Sequence, residues 1–261
     1  MLRLHPLPAL GDNYIWVLSD DQGHCTVVDP GEAAPVLRAA EEGLRPTSVL
    51  LTHHHPDHIG GTAELRQRWP DLDVVAPRDE RIRVATRHVG DGDTVEAGAW
   101  RFDVLEIPGH TRSHIAFVST EADANGGSLF CGDTLFSLGC GRMFEGTAPQ
   151  MLASLDRLAA LPGHLQVCCG HEYTVANAAF ARTVEPGNAA LARRADEAVA
   201  LRAEGKPTLP STLDGERATN PFLRVDAPEV RASVTARLGR GPRDRVETFA
   251  ELRSWKDGFQ A

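Results

Sequence analysis

Up to about residue 172 the chain alternates short apolar runs with turn residues. The runs 13–18 (NYIWVL) and 25–29 (CTVVD) predict two strands, paired as a hairpin across 19–23. Residues 32–42 carry a helical pattern. The run 48–52 (SVLLT) is wholly apolar until its last residue, as expected of a strand buried on both faces. A helix is predicted at about 58–69, stopped by Pro70. Further strands are expected at 72–76, 100–107, 114–119, 128–132 and 166–170, with a helix at about 149–161. Asp91-Gly92-Asp93 and Asn125-Gly126-Gly127 are turn signals between them. Beyond about 175 the texture changes. Ala-rich segments with spaced Arg and Glu predict helices at 175–184 and 188–204. Two more are expected at about 227–238 and 244–257, after a Pro-containing stretch at 206–221. The pattern therefore predicts an α/β domain over 1–172 and a smaller helical domain over 173–261.

Composition narrows the function. The 261 residues carry a net charge of −9, which speaks against a nucleic-acid binder. Through residue 199 there are 16 basic and 27 acidic residues, and 11 and 9 after it, so the tail is mildly basic. That balance suits an anionic ligand near the tail and a metal site before it. No stretch approaches the roughly 18–20 apolar residues of a membrane span. The first residues lack the apolar core of a signal peptide, so a cytoplasmic address is expected, with a monomer as the expected state. The five cysteines are odd in number and include no C-x-x-C pair, which argues for reduced thiols.

Histidine is the outlier, with His53, His54, His55 and His58 inside six positions. His53 and His55 leave a strand end two residues apart, so an extended backbone turns both to one side and His54 to the other. Pro56 suits the first turn of a helix, which places Asp57 and His58 at a helix start, aimed differently. Two small ligand sets result, as two metal ions require. Gly60 and Gly61 are expected to let backbone pack close beneath the metals. Imidazole with carboxylate is a normal ligand mix for zinc or iron. Three further candidates each follow an apolar run and a glycine: His110, Asp133 and His171.

The order His53-x-His55-x-Asp57-His58, then His110, Asp133 and His171, resembles the metallo-β-lactamase superfamily. The match is closer still to its glyoxalase II (hydroxyacylglutathione hydrolase) family. Asn13-Tyr14-Ile15-Trp16, Gly132-Asp133-Thr134-Leu135-Phe136, Gly139-Cys140-Gly141-Arg142, Gly170-His171-Glu172-Tyr173-Thr174 and Asn220-Pro221-Phe222-Leu223-Arg224 carry the resemblance almost end to end. It implies an αββα sandwich followed by a C-terminal α-helical domain. It assigns His53, His55 and His110 to one divalent metal, Asp57, His58 and His171 to a second, and Asp133 as the bridge. Zinc is the first expectation, with iron or manganese as alternatives. His54 and His114 would orient ligands from behind.

The same resemblance implies that the glutathione part of a thioester substrate meets Arg142, Phe144, Tyr173, Arg253 and Lys256. The family usually has Lys and Tyr where this chain has Arg142 and Phe144. Arg253 and Lys256 stand three apart on a predicted helix and so share a face. The implied reaction is attack of a metal-bridging hydroxide on the thioester of S-(2-hydroxyacyl)glutathione, typically S-D-lactoylglutathione, with Asp57 and Asp133 as the catalytic carboxylates. This is the second step of methylglyoxal detoxification. A thiol of pKa about 8.5 departs with little help from an acid. No G-x-S-x-G elbow, P-loop or H-E-x-x-H offers competing machinery. Two alternatives are a related superfamily enzyme, such as an iron persulfide dioxygenase or another thioesterase or lactonase, and a metal-stabilised binding module.

Overall fold

The computed structural model describes residues 3–119 and 126–260, so Asn125 of the predicted 125–127 turn lies outside the described residues. The strands in chain order are β1 (Arg3–Ala9), β2 (Asn13–Ser19), β3 (His24–Val28), β4 (Arg45–Leu50), β5 (Asp73–Pro77), β6 (Arg87–Val89) and β7 (Thr94–Ala97). They continue with β8 (Trp100–Glu106), β9 (Ile115–Ser119), β10 (Ser128–Gly132), β11 (Leu135–Phe136), β12 (Gly139–Cys140), β13 (Gln166–Cys169) and β14 (Ser211–Thr212). The helices are α1 (Ala34–Glu41), α2 (Pro56–Ile59), α3 (Thr62–Arg68), α4 (Ala148–Ala159), α5 (Thr174–Val184), α6 (Ala189–Ala203), α7 (Leu213–Thr219), α8 (Pro228–Leu238) and α9 (Arg245–Asp257). No helix among the described residues is long and apolar enough to cross a membrane.

The chain divides into two compact units. One comprises Met1–Glu106, Ser113–Gly132 and Leu165–His171; the other comprises Ile107–Arg112, Asp133–His164 and Glu172–Ala261.

The first unit holds two sheets. One runs in the order β1-β2-β3-β4-β5-β6, and the other in the order β13-β10-β9-β8-β7. β2, β9 and β10 are buried along their whole length, the mark of strands covered on both faces. Two polar threads join the sheets. Trp16 Nε1 on β2 donates to the Cys169 carbonyl on β13 at 2.9 Å, and Thr26 Oγ1 on β3 donates to the Ala97 carbonyl on β7 at 3.1 Å. The expected hairpin of β2 and β3 is antiparallel with Trp16 opposite Val28.

Three local departures from the sequence pattern have physical reasons. β1 contains Pro6 and Pro8, which argue against a strand by propensity; it is an edge strand paired only with β2, where a missing donor is tolerated. β4 stops at Leu50 rather than Thr52, because the Thr52 N–H donates to Asp29 Oδ1 at 2.8 Å. The single helix expected at 58–69 is two, α2 and α3, parted at Gly60-Gly61. The close approach these glycines permit is to residues 31–33. A Cβ at Gly60 would stand 2.5 Å from the Gly31 carbonyl oxygen, and one at Gly61 would collide with the Glu32–Ala33 backbone.

The second unit is helical and includes the β11–β12 hairpin. Leu138, at the hairpin turn, is held at φ +60. Its N–H donates to the buried Glu216 carboxylate at 2.8 Å, and Asn220 Nδ2 donates to the Phe136 and Gly139 carbonyls at 3.0 Å each. The Asn220-Pro221-Phe222 segment thus fixes the hairpin that leads to Arg142. α7 lies inside the stretch whose prolines masked it; Thr212 caps it by accepting from the Gly215 N–H.

Candidate metal centre

In the first unit, His55 is the N-cap of α2, in an extended conformation, and Pro56 occupies its first turn. This sends Asp57 and His58 off in a new direction, as the spacing predicts. The His53 ring lies 4.1 Å from that of His58 and 4.7 Å from that of His55, centroid to centroid, but 6.4 Å from that of His54. His171 follows β13 and closes the group. Asp57 Oδ2 lies 3.6 Å from His58 Nε2 and 3.4 Å from His171 Nε2. The ligand atoms of Asp57, His58 and His171 all lie within 4.8 Å of one another.

Within the second unit, His110 Nε2 and Asp133 Oδ2 lie 3.4 Å apart. Gly141 lets them approach: a Cβ there would strike the Asp133 carbonyl and sit 3.2 Å from His110 Nδ1.

The decisive feature is what stands behind the rings. His58 Nδ1 meets Asp29 Oδ2 at 3.0 Å, and His171 Nδ1 meets Asp12 Oδ1 at 2.8 Å. His110 Nδ1 meets the Arg142 carbonyl at 2.8 Å. These partners are acceptors, so Nδ1 carries the proton and Nε2 the lone pair. His53 Nδ1 meets Thr52 Oγ1 at 3.1 Å, while Thr52 Oγ1 donates its own proton to Asp29 Oδ2 at 2.6 Å. The Thr52 oxygen therefore accepts from His53. One buried carboxylate, Asp29, fixes two rings, directly and through Thr52. It sits just past β3 with φ +50, a conformation uncommon outside glycine. Ligating histidines characteristically donate their second nitrogen in this way, so the residues present fit a divalent metal.

Other predicted pieces fall around this core. Asn13 Nδ2 donates to Asp57 Oδ2 at 3.1 Å and to the Asp57 carbonyl at 3.2 Å, which gives the Asn13-Tyr14 motif its role. His114 is buried and stacks on His53, with centroids 4.6 Å apart and planes at 16°. His54 turns away, its Nδ1 3.6 Å from Asp79 Oδ2. Hydrogen bonds from Arg81, then Ser113, hold the Asp79 carboxyl well below the usual carboxylate range. Asp12, Asp29 and Thr52 are the residues that sequence reasoning passed over. Asp29 did carry a signal, since it ends an apolar run and precedes Pro30-Gly31, much as the ligands follow theirs.

Within the second unit a cavity of about 400 Å³ is lined by His110 and Asp133 together with Phe144 and Tyr173. Arg142, Arg253 and Lys256 form its cationic wall. The three cations differ. Arg142 is 64% exposed, whereas Arg253 is only 4% exposed. Arg253 Nη1 donates to the Cys140 carbonyl at 2.7 Å, Nη2 donates to Asp257 Oδ1 at 3.0 Å, and the guanidinium lies 5.4 Å over the Phe222 ring. Lys256 Nζ donates to the Ala176 carbonyl at 3.1 Å beside the rings of Phe180 and Phe259. Burial, then the neighbouring Arg253 and Arg142 charges, lowers its pKa to about 8. Phe144 is 64% exposed, its ring 5.3 Å from that of His110, and Tyr173 packs edge-on against Phe136. A larger cavity of about 590 Å³, among Arg193, Arg194 and Ser211, contains none of the ligand residues. The cysteines are buried and form no disulfide. Burial pushes the Cys140 thiol up to about 11, so it stays protonated and is no nucleophile.

Residues 9–171 match the metallo-beta-lactamase superfamily and residues 172–259 match the hydroxyacylglutathione hydrolase C-terminus. A hydroxyacylglutathione hydrolase from Xanthomonas campestris pv. campestris (strain B100) is 59% identical over 261 residues, covering 100% of both chains. The crystal structure of ETHE1 from Myxococcus xanthus superposes with a TM-score of 0.65 at 24% identity, covering 100% of this chain and 92% of that one. That of TTHA1623 in a di-iron-bound form gives a TM-score of 0.58 at 27% identity, covering 84% of this chain and 100% of that one. The fold is the αββα sandwich with a C-terminal helical domain that the sequence implied, and the chain belongs to the hydroxyacylglutathione hydrolase family of the metallo-β-lactamase superfamily.

Proposed function

We propose that this chain hydrolyses S-(2-hydroxyacyl)glutathione thioesters, S-D-lactoylglutathione foremost, to glutathione and a 2-hydroxy acid. In this reading His53, His55 and His110 hold one divalent metal, Asp57, His58 and His171 hold a second, and Asp133 bridges them. The donor set suits zinc first, and iron or manganese also. When bound, such ions supply hydroxide at neutral pH and polarise the carbonyl under attack. The di-iron form of TTHA1623 supports two ions rather than one.

The chain's own residues do the rest. Asp29, Asp12 and the Arg142 carbonyl hold Nδ1 of the imidazoles and keep the rings aimed. Asp57, steadied by Asn13, orients the attacking water. The leaving thiolate needs no acid, which agrees with a site built of ligands. Arg142, Arg253 and Lys256 receive the carboxylate at the peptide end, with Tyr173 and Phe144 along the peptide. Phe144 lacks a hydroxyl, so the hydrogen bond a tyrosine would give is absent there.

The observation that carries this reading is the set of acceptors behind Nδ1 of four histidines, in a chain whose relatives share its whole length. The test is a steady-state comparison of S-D-lactoylglutathione with a lactoyl thioester lacking the peptide, together with metal analysis. The expected result is a higher kcat/KM for the glutathione thioester and close to two metals per chain. Equal kcat/KM for both thioesters would remove the glutathione part of the proposal.

A further inference from the structure

The cationic wall contains one anion. Asp257 is the last residue of α9, and its side chain is 47% exposed to the same cavity as Arg142, Arg253 and Lys256. Local helix energetics do not account for an acid there. A carboxylate at a helix C-terminus opposes the macrodipole. Arg253 and Asp257 also stand four apart with the cation first, the weaker order for such a pair.

Its partners do account for it. Asp257 Oδ1 lies 3.0 Å from Arg253 Nη2 and 3.4 Å from Arg142 Nε, so one oxygen bridges two cations from different elements. Arg253 has little else to offer a ligand. Nη1 is committed to the Cys140 carbonyl, and the buried Nε has no hydrogen-bond partner among the described residues. Arg253 and Asp257 both line the cavity. A carboxylate arriving from solvent meets donors already held by a carboxylate.

We propose that Asp257 is a specificity-determining residue: an internal counter-ion that a ligand carboxylate must displace or share, and which thereby sets the affinity of the wall for the peptide end of the thioester. This rests on the glutathione reading above. With Asp257 charged, the wall grips an anion weakly enough to release the glutathione product, which keeps the same carboxylate after hydrolysis. Neutralising it leaves the two arginines without their incumbent.

The experiment compares the parent, Asp257→Asn and Asp257→Glu on the glutathione thioester and on the same thioester of C-terminally amidated glutathione, in which the glycine carboxylate is neutral. KM, kcat and the inhibition constant of glutathione are read at low and high salt. Asp257→Asn should lower both KM and the glutathione inhibition constant by roughly two- to fivefold at low salt, the scale of one part-exposed ion pair. The gain should shrink as salt screens it. Asp257→Glu keeps the charge and should stay near the parent, and the amidated thioester should show no gain. An unchanged or raised KM in Asp257→Asn on the glutathione thioester would overturn the proposal, because Asp257 would then only orient Arg253. An equal gain on both thioesters would also overturn it. A parent that takes both thioesters equally well removes the glutathione reading itself, and so is told apart from a failure of Asp257 alone.

Discussion

The histidine cluster of the first unit and the cationic wall of the second are both polar groups set among apolar side chains, yet they solve the burial of polarity differently. The imidazoles have a fixed acceptor behind them, supplied by the preceding residue for His53 and by distant parts of the chain for His58 and His171. The wall buries a permanent charge. Arg253 loses water and regains only one carboxylate, one carbonyl and an aromatic face. The contrast teaches that the imidazoles are aimed by rigid strand ends, whereas the wall holds its charges in a balance of like and unlike neighbours.

That contrast can be broken experimentally. The largest effect is expected in Asp133→Ala, which removes the carboxylate asked to bridge. Its kcat should fall by at least roughly a hundredfold, with metal per chain reduced. Full activity with unchanged metal content would end the dinuclear reading. Next, Asp29→Ala should weaken metal binding by about 10- to 100-fold in a chelator competition, because two imidazoles lose their aim together. Asp79→Ala removes a carboxylate that meets Arg81, Ser113 and His54, none of them a proposed ligand, and should leave metal affinity near that of the parent. Similar metal loss in both variants would mean that Asp29 supports folding rather than ligand orientation.

On the wall, Lys256→Ala should raise KM for the glutathione thioester by roughly tenfold with little change in kcat. The lost contact is remote from the carbonyl and serves ground and transition states alike. The pH profile sharpens this. The Lys256 pKa is lowered to about 8, so the charged, binding form is present below pH 8 and lost above it. KM should therefore rise as pH increases through that value in the parent, and stay flatter in Lys256→Ala. The smallest effect is expected from Phe144→Tyr. A restored neutral hydrogen bond is worth about 0.5–1.5 kcal/mol, and the exposure of Phe144 favours the lower end. KM should fall by no more than roughly tenfold. A weaker-binding Phe144→Tyr would show that the 144 side chain does not lie along the peptide.

The same contrast explains what could be read from residues alone. Metal chemistry accepts few residue types, and a strand end followed by Pro56 permits few directions, so His53, His55, Asp57 and His58 are conspicuous. Most strands and helices were legible for a related reason, since their apolar period is local. Asp12 and Asp29 were not, because an aspartate near a turn is common and only the fold puts it behind a histidine. Arg253 and Lys256 looked like one exposed basic face. The structure buries the first and half-buries the second, because Phe222, Phe180 and Phe259 come from distant parts of the chain. β1 was hidden by its prolines and α7 by those of the 206–221 stretch.

Those prolines in β1 have one further consequence. An open sheet invites another chain to add a strand along its border, the first step of many aggregates. Pro6 and Pro8 share parity on β1, so the two missing donors fall on the same side, and the ladder to β2 needs the other. The border that faces away from β2 offers an intruding strand a row of acceptors with gaps where donors should be. A neighbouring chain is thereby poorly matched to add a strand along that border.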